Sequence, residues 1–421
     1  MSLFSKCLMA AALVSLGTCT SYAAEEGVSP TTTDTRGSVM SRARPGYDAV
    51  GIHTGAFTIY PEANVSSKYD DNIYATSTNT KSDFITALSS SVSVNSNWNV
   101  HALNFSAGVT KSLYSKHSGE NRLDWNVGAN GRLDVTRNTK INAALSFQKL
   151  HEDRGDPSAP SASSEPVPYT LLSGSLGVDQ RFNRMTASLI GDYSEYNYDN
   201  VVSTTGTPIN QDFRDRKEYG ETLKVGYDVS PDTSVYLRGT LNQRKYDQHP
   251  PVVAVNQDSK GYEIVAGTSI RLSNLMQGGF YLGYQSQSYD SSALSDINGL
   301  AYGGNIEWYL TPLMTVTLNA DSAINETTLG GSGYLAQSVG LRVDHELLRN
   351  LLLHANVGYE NDKYTGISRT DDILSAGLGA DYLLSRNFSI SLGYNYINRS
   401  SSVLGGDYSR NLFGLTLTGK L

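Results

Sequence analysis

Residues 123–135 read LDWNVGANGRLDV, and this stretch decides the fold class. Leu123, Trp125, Val127, Ala129, Gly131, Leu133 and Val135 share one side of an extended chain, with Asp124, Asn126, Gly128, Asn130, Arg132 and Asp134 on the other. Side chains alternate across a strand, whereas helical winding would scatter these apolar residues around every face. The alternation outlasts the roughly five or six residues of an ordinary strand. The same phase returns in Tyr219-Leu223-Val225-Tyr227-Val229, with Glu221 the exception on that face. It returns again in Phe388-Ile390-Leu392-Tyr394-Tyr396 and in Phe413-Leu415-Leu417-Gly419-Leu421.

Reverse-turn chemistry punctuates these strands at Asn97, Asn138, Asn183, Asp232, Asn274, Pro312, Asn350 and Asn387, spaced 37 to 49 residues apart. Between the tight turns lie longer polar connections, such as 155–168 and 199–216. Tight turns on one side and longer loops on the other are the pattern of an outer-membrane barrel. Eight tight turns joining strands two to three, four to five and onward, with a first and last strand added, predict 18 strands. The expected fold is therefore all-β: a transmembrane antiparallel up-and-down β-barrel of about 18 strands over residues 56–421. A propeller repeats at a similar period but packs four short strands into each blade, where this chain has two long ones.

Composition agrees. Tyrosine is abundant (27, against 10 Phe), as is glycine (39), and charge is low. Tyr193, Tyr219, Tyr227, Tyr302 and Tyr382 fall on apolar faces near strand ends, where an amphipathic ring suits a membrane interface. No strand is a continuous apolar run of the kind buried on both faces. Residues 1–23 read as a secretory signal peptide: Lys6, the apolar stretch 7–17, then Ser21-Tyr22-Ala23 before cleavage at Ala24. A lipoprotein site at Leu16-Gly17-Thr18-Cys19 is disfavoured by threonine where a smaller residue belongs. Cys7 and Cys19 both lie in this leader, so disulfides and thiolate chemistry are not expected in the mature chain. Losing Lys6 leaves 32 basic against 41 acidic residues, a net charge of −9 from −8, which excludes a nucleic-acid footprint. Residues 24–55 lack periodicity and are expected to be a disordered periplasmic segment.

Three phrases resemble the putative beta-barrel porin 2 family: Arg44-Pro45-Gly46-Tyr47-Asp48-Ala49-Val50-Gly51-Ile52, Gly55-Ala56-Phe57-Thr58-Ile59-Tyr60-Pro61 and Tyr69-Asp70-Asp71-Asn72-Ile73-Tyr74. In that family they introduce the first strand and hairpin. The resemblance implies an outer-membrane channel, with relatives associated with exopolysaccharide secretion, and it transfers no catalytic residue. Asp70 and Asp71 read as turn residues, without the ligand spacing of a calcium loop. The last strand resembles an assembly signal, although Leu421 stands where an aromatic is usual.

Histidines are the enzymatic candidates. His151-Glu152-Asp153 would sit at the outer rim, yet no nucleophile elbow accompanies it, so a solvated loop entrance explains it as well. His345 and His354 flank a turn and read as structural. By register, Arg122, Asp124, Arg132, Lys224, Arg238, Arg244, Arg271 and Arg342 face the lumen, as pore-lining charges or as salt-bridge ladders. Lys224, Arg238 and Arg244, without an obvious acid beside each, predict an anion preference. A loop from 153–168 or 198–216 could plug the lumen.

The expected function is a porin-type channel for passive diffusion or export of solutes, with exopolysaccharide a candidate cargo, no cofactor and no metal. Its expected surroundings are outer-membrane lipid, lipopolysaccharide and the barrel-assembly machinery, with exopolysaccharide or a periplasmic export protein as candidate partners. The alternatives are a rim-active outer-membrane hydrolase and a structural or adhesive surface barrel. Single-channel conductance separates the first reading from both.

Overall fold

The computed structural model describes residues 37–421, so the signal peptide expected over 1–23 lies outside the described residues. Eighteen long strands close into an antiparallel barrel. They are β1 (Phe57–Asp70), β2 (Asp83–Ser96), β3 (Ala102–Tyr114), β4 (Arg122–Asp134), β5 (Thr139–His151) and β6 (Pro168–Phe182). Next come β7 (Met185–Tyr198), β8 (Arg216–Ser230), β9 (Thr233–Tyr246), β10 (Ser259–Ser273), β11 (Met276–Tyr289) and β12 (Ile297–Thr311). The last are β13 (Met314–Asn325), β14 (Gly333–Leu348), β15 (Leu351–Thr365), β16 (Thr370–Leu383), β17 (Phe388–Ser401) and β18 (Tyr408–Lys420). Each pairs with its sequence neighbours, and β1 closes on β18 with Val65 opposite Leu417. Closure leaves no unpaired edge among these strands.

All eight expected tight turns fall between strands. The shortest are two residues long, as at Asn183-Arg184, where Asn183 takes φ 58°, a left-handed conformation that asparagine tolerates. The opposite end carries the long connections. Strands run from 12 to 16 residues, more than the roughly 9–11 a tilted strand needs to cross a bilayer.

The two faces of the wall are inverted relative to a soluble protein. Leu123, Leu145, Leu189, Leu223, Leu282 and Leu378 all stand exposed on the outside, between 44 and 61% accessible. The inward positions of the same strands are mostly polar or glycine, as at Asp124, Asn126, Ser188, Thr222, Gly283 and Ser375. A continuous outer band of bare aliphatic side chains far exceeds what a water-soluble monomer shows. Tyr193 and Tyr219 meet at the long-loop end of that band, ring centres 5.3 Å apart, while Tyr227 and Tyr382 lie toward the tight turns.

The segment expected to be disordered over 24–55 is instead seated in the tight-turn mouth from Gly37 onward, and 24–36 lie outside the described residues. Val39 is fully buried, its amide donating to Thr315 Oγ1 at 3.0 Å. Arg44 reaches Glu346 at 3.2 Å, with both side chains buried. Arg349 and Arg386, from two tight turns, donate to the carbonyls of Ala43 and Pro45. The sequence lacks apolar periodicity here because polar contacts to the barrel, not a core of its own, hold the segment. Ile52–Thr54 then pairs with the start of β1.

Candidate functional site

The site is the lumen, and its shape is set by two loops that fold inward. The connection 152–167, between β5 and β6, crosses toward the far wall. At its root Glu152 accepts from Arg214 Nη1 at 2.9 Å, and the carboxylate and guanidinium are both buried. Arg154 grips Glu120 through two hydrogen bonds of 2.6 and 2.9 Å. Asp153 accepts from Arg410 on β18 at 3.2 and 3.3 Å, and the Gly155 carbonyl accepts from Arg399 on β17 at 2.6 Å. Farther along, Ser158 meets Thr328 in the β13–β14 loop, eight strands on from where the loop begins and so across the barrel.

The second loop, 199–215, lies on the first. Ser164 and Thr204 exchange backbone hydrogen bonds across them, to Val202 and Ala162. A small apolar cluster of Val167, Leu171, Tyr196, Tyr198 and Val201 sits beneath the junction. Both segments expected as alternative plugs therefore act together, one clamped by arginines and the other bracing it. Burial alone would raise the Asp153 pKa, but Arg410 and the Gly155 amide outweigh it and hold this carboxyl below its usual range. Burial pushes Asp215 up to about 6, with Asp212, Asp247 and Asp199 adding to the rise against the Tyr198 amide hydrogen bond.

Below the plug the wall is polar and exposed. Ser91, Ser106 and Asn126 face inward at mid-height on β2, β3 and β4 and are exposed. A polar chamber thus lies between the loop plug and the N-terminal segment in the opposite mouth.

All eight predicted pore charges sit on the inward face, and most are paired. Arg122 lies 3.8 Å from Asp124, Arg132 3.2 Å from Asp134 and Arg342 2.8 Å from Asp344, each two residues along its own strand. Arg238 meets Glu263 at 2.9 Å and stacks over Tyr281. Arg244 bonds Glu326 and the Ile324 carbonyl. Lys224 sits over the Tyr236 ring at 4.0 Å. Arg271 shows no side-chain partner among the described residues. The premise of the expected anion preference does not hold, because Arg238 and Arg244 each have a carboxylate beside them. Asp321, Glu360 and Asp362, on β13 and β15, form no ion pair among the described residues, and Asp321 and Glu360 both lie opposite Ser338. Asp362 is buried, with one carboxylate oxygen lacking any hydrogen-bond partner.

His151-Glu152-Asp153 is no solvated entrance. His151 Nδ1 is 2.8 Å from Asp124, Glu152 goes to Arg214 and Asp153 to Arg410, so these residues anchor the plug in three directions. No described serine or threonine hydroxyl bonds to the His151 ring or to His117, which sits 2.9 Å from Asp83. His345 faces outward, its ring against the Leu313 carbonyl, while His354 faces the lumen near Asp381. Opposite faces rule out a shared metal, and a Cβ at Gly379 would sit 2.0 Å from the His354 ring. Asp70 and Asp71 are also committed. Arg410 donates to Asp70 at 2.6 and 2.8 Å, and Asn411 donates to Asp71 at 2.6 and 2.7 Å, so this phrase locks the seam where the barrel closes. Sequence reasoning missed Arg410, Arg399 and Arg214. Alternation along 408–420 does place Arg410 inward, but its partner lies 257 residues away.

Among solved structures, the outer-membrane protein opdK from Pseudomonas aeruginosa is 11% identical over 86% of this chain and 99% of its own, with a TM-score of 0.43. OccK9 (OpdG) from the same organism is 12% identical over 87% and 98%, TM-score 0.47. OccAB4 from Acinetobacter baumannii is 11% identical over 86% and 98%, TM-score 0.45. No curated protein matches. The sequence profile of one family, putative beta-barrel porin 2, matches residues 44–421, from the buried Arg44 through the closing strand. The chain belongs to the putative beta-barrel porin 2 family.

Proposed function

We propose that this protein is an outer-membrane channel whose passage is restricted by its own loops, a solute-selective porin rather than an open sieve. The observation that carries the reading is the polar, exposed chamber wall of Ser91, Ser106 and Asn126 beneath an inward loop clamped by Arg410, Arg399 and Arg154. Long loops face the exterior and tight turns the periplasm in such barrels, so the plug guards the outside and the 37–48 segment the periplasmic mouth. The family's association with exopolysaccharide makes a polysaccharide the candidate cargo.

The test is conductance of the refolded protein in planar bilayers under a salt gradient. The expected result is a small conductance that rises in a chain lacking residues 155–165. A correctly folded barrel that stays silent even without residues 155–165 would overturn the channel reading. Loss of secreted polysaccharide on gene deletion, restored by the wild-type chain, would establish the cargo. The histidine dyads support a hydrolase less well, since neither faces a nucleophile.

A further inference from the structure

The outward basic residues of the described strands are all lysines, although Lys68, Lys140, Lys224 and Lys420 face inward with the arginines. Arginines of the strands point into the lumen. Lysines that point outward are Lys111, Lys149, Lys217, Lys245, Lys260 and Lys363, each within three residues of the long-loop end of its strand. Toward the tight-turn end, the described strands present no outward lysine or arginine. Arginine's planar fork suits the carboxylates inside, whereas lysine's flexible stem can run along apolar surface and lift its charge to the interface.

Three of these lysines are contiguous. Lys217 and Lys245 lie directly opposite each other on β8 and β9, and Lys260 follows on β10, one step away opposite Gln243. Like charges placed face to face destabilise a sheet unless an anion lies between them. Lys217 is partly neutralised by Asp247 at 3.0 Å and Glu195 at 3.8 Å. Lys245 and Lys260 have no carboxylate within ion-pair distance among the described residues. Glu221 lies farther down the same face, opposite Leu241. Directly beneath the lysines are two tyrosine pairs, Tyr193–Tyr219 at 5.3 Å and Tyr262–Tyr284 at 6.3 Å. Below these come bare Leu223, Leu241, Ile264 and Leu282.

We propose that this strip of β8–β10 is a binding site for a phosphorylated glycolipid of the outer leaflet. Its phosphates would sit between Lys245 and Lys260, its sugars on the tyrosine layer and its acyl chains on the aliphatic rows. Charge-assisted hydrogen bonds to phosphate give the head its hold, and the confinement of lysines to the long-loop end selects that leaflet. The proposal rests on the membrane orientation given above.

The test uses the full chain refolded in neutral detergent, with heat-modifiable gel mobility confirming the barrel independently of any lipid. The probes are the bis-phosphorylated glucosamine lipid of lipopolysaccharide, its dephosphorylated form and phosphatidylglycerol, with binding read by native mass spectrometry. The phosphorylated glycolipid should bind at least about tenfold more tightly than either control, and K245Q/K260Q should lose about tenfold while K111Q/K363Q, at distant strands, loses little. Equal binding of the dephosphorylated lipid, or an unchanged K245Q/K260Q, would overturn the proposal. Equal binding of phosphatidylglycerol would overturn its glycolipid identity. A chain that forms no heat-modifiable barrel would instead count against the membrane reading itself.

Discussion

Replacing Asp153 by Asn should loosen the plug without opening the barrel seam. Arg410 is 5% exposed and holds two acids: Asp70, fully buried on β1, and Asp153, which is 34% exposed on the loop. Asp153→Asn removes the loop's charge and leaves Arg410 matched to Asp70. A hydrogen bond to a charged group contributes about 1.5–3 kcal/mol. The partial exposure of Asp153 and its contacts of 3.2 and 3.3 Å argue for the low end, about 1.5 kcal/mol. That corresponds to about a tenfold rise in the ratio of released to docked loop. In single-channel recordings D153N should therefore raise open probability by about that factor, with heat-modifiable gel mobility unchanged. Arg410→Met is the contrasting variant. It strands the buried Asp70 carboxylate, at about 3–5 kcal/mol, and should lower the yield of folded barrel. If D153N gates like the wild type, and a chain lacking 155–165 conducts no more than either, the loop does not restrict the lumen.

The same clamp predicts a pH response. Because the Asp153 pKa lies below its usual value, its contribution is complete above about pH 4 and is lost as pH falls through the depressed value. Conductance should therefore rise below about pH 4 in the wild type and show no such step in D153N. On the outer face, Leu223→Arg should cost about 2–4 kcal/mol of folding into bilayers, while Thr222→Arg on the inward face is tolerated; equal tolerance in urea titrations would contradict the assigned faces. At the periplasmic mouth, Arg44→Met removes a buried partner of Glu346, but Arg349 remains 3.1 Å from that acid. The penalty should fall below the roughly 3–5 kcal/mol of a fully stranded charge. Trypsin should nevertheless cut after Arg42 sooner than in the wild type, and an unchanged rate would mean that the segment is held by other contacts.

Much of this architecture is legible without coordinates because strand alternation and turn chemistry are local. Leu123 to Val135 declares its two faces in thirteen residues, and Asn183, Asp232 and Asn350 mark turns through their own backbone preferences. Counting those turns yields the strand number and the side on which each loop emerges. The inward direction of Arg238, Arg244 and Arg342 follows from the same period of two.

What those residues bind does not follow, because partners in a barrel come from distant parts of the chain. Glu326 reaches Arg244 from a loop 82 residues on, and Asp153 meets Arg410 from 257 residues away. Periodicity alone makes Lys224, Arg238 and Arg244 a basic patch, and only the folded barrel brings Glu263 and Glu326 against two of them. It likewise turns His151-Glu152-Asp153 from a candidate catalytic triplet into three plug anchors. The aperiodic residues 37–48 carry no local signal of order, since their stability resides in Thr315, Glu346, Arg349 and Arg386. Wall and turns were local properties of the sequence, whereas plug, seam and mouth depend on contacts between residues far apart in the chain, such as Glu152 with Arg214, Asp70 with Arg410 and Arg44 with Glu346.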